Sequence, residues 1–480
     1  MSNLSSSVSD TTSAAIEPPL NRFYRTVWRW HFYAGLFVIP FMLILAITGS
    51  IYLFKPQLDA VMYRPLMVVQ PTVVMLPYVQ QLTAVQQAYR DALVTKFTPN
   101  VAPERSAEVT LTTPDGQNLT VFVNPYTGQV LGDRNEDHNF QAQIREIHGE
   151  LLMGRLGDTL VELAACWGLV LLITGLYLWL PRRNGFSVWG TLLPRLGSKS
   201  RRVFWRDLHA VSGFYGALLI GFLILTGLPW SGFWGETFAQ VWNRFPAQMF
   251  DNYPQSTILT GALNQKGTQT VPWAVEQLPM PKSEPGHQHG EKAELPNSSH
   301  AERSATAVNL DEVIAVAQSN AAPAGFSVSF PTDETGVYTV SAFPDDPTQE
   351  MTLHIDQYSS QVLTDIRWHD YGLVPKAVEM GIAVHMGKYF GLPNQLLMLF
   401  ACLILVLLCV SGLVMWWRRR PSKRLGAPLM PAYAQQWRVP TAIVAVLGII
   451  FPLVGVSLVA VLLLDYFVIS RIPPLRRILN

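Results

Sequence analysis

Long apolar runs alternate with long polar stretches along this chain of 480 residues. Four of the runs are long enough to cross about 30 Å of hydrocarbon as helices, and these are Val27–Phe54, Leu160–Leu180, His209–Trp230 and Leu396–Trp417. A fifth run, Val439–Ser470, is too long for one straight span and too short for two, and Pro452 and Gly455 interrupt it. The pattern predicts either a kinked fifth span or a re-entrant hairpin there.

Positive charge sets the predicted orientation of the spans. Lysine and arginine are concentrated in the short segments that follow the second and fourth runs, and positive residues accumulate in cytoplasmic loops. The N-terminus is then cytoplasmic as well, and both large loops lie on the periplasmic side of a bacterial inner membrane. The predicted segments are a disordered tail (1–21), four transmembrane helices with their lead-ins (22–55, 146–181, 207–230 and 385–418), two periplasmic modules (56–145 and 231–384), two basic cytoplasmic loops (182–206 and 419–438), the fifth apolar segment (439–470) and a tail (471–480).

The two halves of the chain repeat one another. Positions that match at a constant offset are His31, Gly35, Thr48 and Gly49 with His209, Gly213, Thr226 and Gly227, and His148, Gly154, Gly175 and Trp179 with His385, Gly391, Gly412 and Trp416. In the loops, 121–131 echoes 353–363, and each alternates as a β-hairpin does. The fold class that follows is an α-helical membrane protein with a duplicated unit of helix, periplasmic α+β module and helix. The duplicated units form a four-helix core, to which the C-terminal apolar segment is added.

Composition narrows the class of protein. Of the residues, 49% are hydrophobic and only 14% are charged, against about 25% charged in soluble proteins. The net charge of +1 argues against a nucleic-acid partner. The cysteines Cys166, Cys402 and Cys409 lie inside apolar runs and form no C-x-x-C pair, so they are interpreted as core residues. A polar insertion at about 280–306 carries His287, His289 and His300 and is predicted to be a flexible loop.

Four histidines fall into two pairs at matching membrane depth. His31 and His209 lie near the predicted cytoplasmic face, and His148 and His385 near the periplasmic face. A haem iron held between helices needs one imidazole from each side, so each same-face pair is a candidate site for one b-type haem. Gly35 and Gly213, one turn after the inner histidines, would let a flat porphyrin approach.

A simpler interpretation remains open for each of these residues. A single histidine near a membrane interface is often a polar anchor, and small residues let membrane helices pack closely. The apolar cores of the second and fourth runs also begin about ten residues after His148 and His385, so these histidines reach membrane depth only if the chain folds back. His138 and His369 are the reserve ligands on that side.

Several motifs together resemble the PepSY-associated transmembrane family. They are Trp30-His31-x3-Gly35, His148-Gly-Glu-Leu-Leu-x-Gly154, Thr174-Gly175-Leu-Tyr-Leu-Trp179, Trp205-Arg-Asp-Leu-His209 and His385-Met-Gly-Lys-Tyr-Phe-Gly391. The resemblance implies PepSY modules at the two hairpins and a relation to iron-regulated inner-membrane proteins such as ferric-siderophore reductases. By the same implication, His31, His209, His148 and His385 are axial haem ligands.

The leading hypothesis is a haem-containing reductase that passes electrons from the cytoplasmic side to a periplasmic ferric siderophore and releases Fe(II). The cytoplasmic loops show no G-x-G-x-x-G fingerprint, so the electron donor is expected to be a separate cytoplasmic protein or a quinol. One alternative is a siderophore or metal transporter whose halves rock about a central site. Another is a membrane-anchored PepSY protein that binds or inhibits a periplasmic peptidase.

Overall fold

A computed structural model of the chain describes residues 19–181, 187–242, 253–264, 270–283, 308–421, 424–426, 438–469, 471–472 and 474. The helices are α1 (Pro19–Tyr52), α2 (Lys55–Met62), α3 (Arg64–Met67), α4 (Tyr78–Ala88), α5 (Phe140–Glu150), α6 (Arg155–Trp179), α7 (Arg201–Gly227), α8 (Gly232–Trp242), α9 (Leu310–Ser319), α10 (Leu373–His385), α11 (Leu392–Arg419), α12 (Arg438–Ile450) and α13 (Pro452–Leu464). Most of the predicted tail at 1–21, parts of both basic loops and His287, His289 and His300 of the insertion lie outside the described residues.

The strands are β1 (Leu93–Thr98), β2 (Ala107–Thr112), β3 (Asn118–Val123), β4 (Val130–Asn135), β5 (Gln255–Leu259), β6 (Pro279–Pro281), β7 (Ser327–Ser329), β8 (Val337–Ala342), β9 (Met351–Asp356) and β10 (Val362–Arg367). β5 and β6 pair with each other, and the other strands form one antiparallel sheet within the described residues, in the order β10-β9-β8-β7-β1-β2-β3-β4.

Four helices of the described chain are long and apolar enough to cross a membrane: Phe23–Tyr52, Arg155–Trp179, Arg201–Trp230 and Leu392–Arg419. Each coincides with one of the four predicted spans and begins a turn or more earlier. Polar residues can precede the apolar run within the same helix because the helix satisfies their backbone groups. The chain is therefore a multi-pass membrane protein, with a substantial β-sheet in addition.

The two sequence halves contribute to one sheet. β3 pairs with β4, and β9 pairs with β10, at the two predicted hairpins. The two sets of strands join where β1 pairs with β7, with Phe97 opposite Val328. The sequence predicts two modules but not this junction, which covers an edge strand of each set that would otherwise be open to aggregation. One face of the sheet packs on α4 and α9 in a continuous apolar core.

The predicted lead-ins to the second and fourth spans are separate helices. Between α5 and α6 the chain passes through left-handed backbone at Leu151 (φ 52°), Leu152 (φ 56°) and Gly154 (φ 56°). Between α10 and α11 it does so at Gly387 (φ 73°) and Gly391 (φ 60°). These reversals end each lead-in helix close after its histidine, so the histidines are not carried along the axis of the following span.

The last apolar segment consists of α12 and α13, which are separated at Phe451. The Cα atom of Gly448 lies 3.0 Å from the position that a Cβ on Gly455 would occupy. Residues seven apart in one helix are about 10 Å apart, so the segment folds back as a hairpin. Trp167 on α6 donates a hydrogen bond to Ser457 on α13 at 3.2 Å.

The chain divides into two compact units. One comprises the described parts of Met1–Met42, Leu163–Ala217 and Leu407–Asn480, and the other comprises those of Leu43–Glu162 and Leu218–Val406. The first unit contains His31 and His209. The second contains the eight-stranded sheet, His148 and His385.

Candidate functional site

The pair predicted to lie near the cytoplasmic face, His31 and His209, is called the inner pair and lies in the first unit. His31 on α1 and His209 on α7 have ring centroids 6.4 Å apart, with their planes at 86°. Two imidazoles that bind opposite sides of one metal ion, each through a bond of about 2 Å, have ring centres about 6 Å apart. The observed separation is close to this value.

Each inner histidine is fixed by a hydroxyl group on a neighbouring helix. His31 Nδ1 lies 2.9 Å from Thr174 Oγ1 on α6, and His209 Nδ1 lies 2.9 Å from Ser411 Oγ on α11. Thr174 donates its single hydrogen to the carbonyl of Val170 at 2.7 Å. Its oxygen is therefore the acceptor toward histidine, and Nδ1 carries the proton.

The pair predicted to lie near the periplasmic face, His148 and His385, is called the outer pair and belongs to the second unit. Its histidines make the same contacts with hydroxyl groups. His148 Nδ1 lies 2.9 Å from Thr48 Oγ1 on α1, and His385 Nδ1 lies 2.8 Å from Thr226 Oγ1 on α7. Thr48 and Thr226 each donate to the carbonyl four residues earlier at 2.7 Å. The hydrogen on Nδ1 leaves Nε2 as the nitrogen with a free lone pair.

Burial favours the neutral form of the outer histidines. Burial lowers the pKa of His148 and of His385 to about 4. Metal ligation requires the neutral imidazole. A partner that fixes the other ring nitrogen is the usual companion of a metal-binding histidine, and all four candidate ligands have such a partner.

Glycine follows each hydroxyl residue and gives the imidazole room. A Cβ added at Gly175 would lie 3.3 Å from the Cε1 atom of His31, and one at Gly49 would lie 3.2 Å from that of His148. The corresponding distances at Gly412 and Gly227 are 3.6 Å. At each dipeptide of serine or threonine followed by glycine, the missing glycine side chain thus leaves space for the histidine ring to pack against the helix.

Gly35 and Gly213 face apolar side chains. A Cβ at Gly35 would lie 3.9 Å from Leu171 Cδ2 on α6, and one at Gly213 would lie 3.5 Å from Leu408 Cδ2 on α11. These are ordinary packing contacts between helices. The predicted role of the two glycines in admitting a porphyrin stays a prediction.

The chain matches a known family over most of its length. The sequence model of the family described as PepSY-associated TM region matches residues 28–419. The chain belongs to this family. No curated protein matches the chain. The match to the PepSY-associated family includes most of the first span, the other three spans, all four histidines and the sheet.

The predicted reserve ligands are poorly placed in this PepSY-associated protein. His138 is exposed, and His369 is 76% exposed and contacts Asp370 at 3.2 Å. Neither has the buried, hydroxyl-fixed ring that the four paired histidines share.

Glu162, the most prominent acidic residue in the predicted spans, has a structural role. Its carboxylate accepts hydrogen bonds from the backbone N–H groups of Phe233 and Trp234 at the start of α8. Asp158, one turn earlier on α6, accepts from Gly232 N–H at 3.0 Å. Two carboxylates therefore satisfy the free N–H groups at one helix N-terminus.

Proposed function

We propose that this protein is a haem-containing reductase of a bacterial inner membrane. It passes electrons from the cytoplasmic side to a ferric siderophore or a similar iron chelate in the periplasm and releases Fe(II) for uptake. The observation that carries the proposal is the fourfold repetition of one contact, in which Nδ1 of a histidine lies 2.8–2.9 Å from a serine or threonine hydroxyl on a neighbouring helix. Interfacial anchors have no reason to share a tautomer and a hydroxyl partner.

The residues have distinct roles in this proposal. His31 and His209 would hold one b-type haem, and His148 and His385 a second. When bound, each haem would supply an iron that alternates between Fe(III) and Fe(II) and so carries one electron at a time. The hydroxyls of Thr48, Thr174, Thr226 and Ser411 select the tautomer and orient each ring before the cofactor arrives.

Donor and acceptor follow from the proposed orientation. A separate cytoplasmic protein or a quinol supplies electrons, since the basic cytoplasmic loops have no nucleotide-binding fingerprint. The periplasmic acceptor is an oxygen-donor iron chelate. Such ligands prefer hard ions and hold Fe(II) less firmly than Fe(III), so reduction loosens the metal.

The transporter alternative loses support from Glu162. A transport site is expected to have polar groups near the membrane midplane that are free to bind a substrate. Both oxygens of Glu162 instead accept backbone hydrogen bonds. The alternative of a peptidase-binding PepSY protein gives no reason for the paired histidines.

The test is a dithionite-reduced minus oxidised visible spectrum of the detergent-purified protein, with the haem-to-protein ratio. We expect two b-type haems per chain, and one after His31→Ala or His385→Ala. His369→Ala is the matched control, because this histidine is exposed, and it should keep both. A haem-free protein, produced with ample haem supply, would refute the proposal, as would a His385→Ala variant that reduces a ferric chelate at the wild-type rate.

A further inference from the structure

Two buried carboxyl groups lie in the second unit, outside the histidine sites. Glu350 immediately precedes β9 and is 2% exposed, and Glu379 on α10 is 1% exposed. Glu379 accepts a hydrogen bond from the backbone N–H of Ala274 at 3.0 Å through Oε1. The charge of Glu379 opposes the ionisation of Glu350. Like charges at such burial cannot both ionise cheaply, so the pair retains a proton.

Each carboxyl has one buried oxygen without a well-formed hydrogen bond. These atoms are Glu350 Oε2 and Glu379 Oε2, and the buried hydroxyl of Tyr371 also lacks a well-formed bond to any described residue. Tyr371 nevertheless acts as a side-chain hydrogen-bond partner of Glu350 and interacts electrostatically with both carboxylates. Buried polar atoms of this kind are satisfied when a proton or a water molecule lies beside them.

A small cavity borders Tyr371. Its lining also includes His354, Thr364, Asp370 and the exposed Gln255. The cavity has a volume of about 30 Å³, and one water needs about 10–15 Å³. The cavity therefore has room for about two water molecules beside Tyr371.

The pair is on the same helix as an outer histidine. Glu379 and His385 both belong to α10, six residues or about 9 Å apart along the axis. Gly381, between them, faces Thr226, the residue that fixes His385. An electron gained at the outer site adds negative charge to a low-dielectric region, and a proton taken up nearby offsets it.

We infer that Glu350 and Glu379 form a proton-binding site that takes up one proton from periplasmic water when the outer histidine site is reduced. The inference rests on the proposed function. The electron comes from the cytoplasmic donor, and the proton bonds to a carboxylate oxygen of the pair. The pair returns the proton when the outer site passes its electron on. The ionisable groups that face the pair and the cavity are Tyr253, Glu276, Asp346, Asp370, Tyr371, Lys388 and His354.

The acidities of the two groups suit this role. Burial, with repulsion from Glu379, raises the pKa of Glu350 to about 9. Burial, with the charge of Glu276 adding to it, raises the pKa of Glu379 to about 7. Both shifts favour the protonated carboxyl, so the pair retains a proton near neutral pH.

The main test measures the reduction potential of the outer haem of the full-length, haem-loaded protein between pH 6 and 9. We expect the reduction equilibrium to become up to tenfold less favourable per pH unit, which is 59 mV for a one-electron couple. Glu379→Gln and Glu350→Gln should flatten this dependence. Glu312→Gln, an exposed glutamate of the same unit, should leave it unchanged.

A second measurement needs no haem. The infrared spectrum of the apoprotein should show a protonated carboxyl band that disappears between pH 6 and 9.5 and is weaker in both glutamine variants. Equal potential slopes in all variants of a haem-loaded protein would overturn the inference and leave the proposed function standing. If the protein binds no haem, the proposed function fails, and absence of the carboxyl band in the apoprotein would overturn the proton site separately.

Discussion

The hydroxyl of Thr174 is predicted to determine how tightly the inner site binds haem. In the described chain, Thr174 Oγ1 is the hydrogen-bond partner of His31 Nδ1, at 2.9 Å. Thr174→Val keeps the shape of the side chain but removes this acceptor. The N–H of His31 is then left without its partner between the helices, at a cost of about 1–3 kcal/mol.

The expected consequence is a weaker haem site rather than an unfolded protein. Loss of the residue that orients a metal-binding histidine lowers metal affinity about 10- to 100-fold, and this range corresponds to about 1.4–2.7 kcal/mol, within the cost of the lost hydrogen bond. The assay titrates haem into apoprotein and follows the Soret absorbance. Thr174→Val should show one weakened site and one unchanged site.

Thr159→Val is the matched control on the same helix. Thr159 also donates its hydroxyl hydrogen to the carbonyl four residues earlier, that of Arg155 at 2.8 Å, but this hydrogen bond is solvent-exposed. Thr174→Ser should restore binding, because Ser411 plays the same part for His209. Equal haem affinities for Thr174→Val and Thr159→Val would refute the assigned role of the hydroxyl.

Three further predictions follow from the same structure. Gly175→Ala should lower haem content more than Gly412→Ala, since the added Cβ would lie 3.3 Å from the histidine ring at the first position and 3.6 Å at the second; equal losses would contradict this. Glu162→Ala should lower the melting temperature, because two backbone N–H groups lose their acceptor at about 1–3 kcal/mol, yet leave the haem-to-protein ratio unchanged. The raised folded-state pKa values of Glu350 and Glu379, about 9 and about 7 against an ordinary 4.5, mean that their contribution to stability is complete below pH 4.5 and is lost as pH rises to 7 and then 9, at about 1.4 kcal/mol per pH unit for each group. Fluorescence-monitored melting should show a shallower pH dependence after substitution of either glutamate by glutamine, and parallel curves would contradict it.

Hydropathy predicts the spans of this protein because each span must itself be long and apolar enough to cross the hydrocarbon of the membrane. The junction of the sheet could not be predicted in this way. β1 and β7 pair through Lys96 with Ser329 and Phe97 with Val328. The pattern of hydrophobic residues in either strand does not indicate which strand it pairs with. The pairing of these two edge strands depends on tertiary contacts, and the local sequence of either strand does not specify it.

The histidine sites were predictable in part. The repeat identifies the four histidines, and the dipeptide of serine or threonine with glycine is visible in every span. The contacts between them join residues 100 to 202 positions apart, so sequence spacing does not pair them. The chain reversal before α6 could be predicted only in part. Two of its left-handed residues, Leu151 and Leu152, are not glycine, and their sequence gives no sign of this backbone conformation.

The shared geometry differs from what polar anchors at a membrane interface require. An anchor at a membrane interface turns its polar tip toward water and headgroups. Here each imidazole turns one nitrogen toward a hydroxyl on a neighbouring helix, and at Thr48, Thr174 and Thr226 that hydroxyl has already given its hydrogen to its own backbone at 2.7 Å. The hydroxyl can then only accept, which fixes the tautomer. A helix that needed only a polar end would gain nothing from this restriction, whereas the proposed iron ligands would use it, because it leaves Nε2 without a hydrogen.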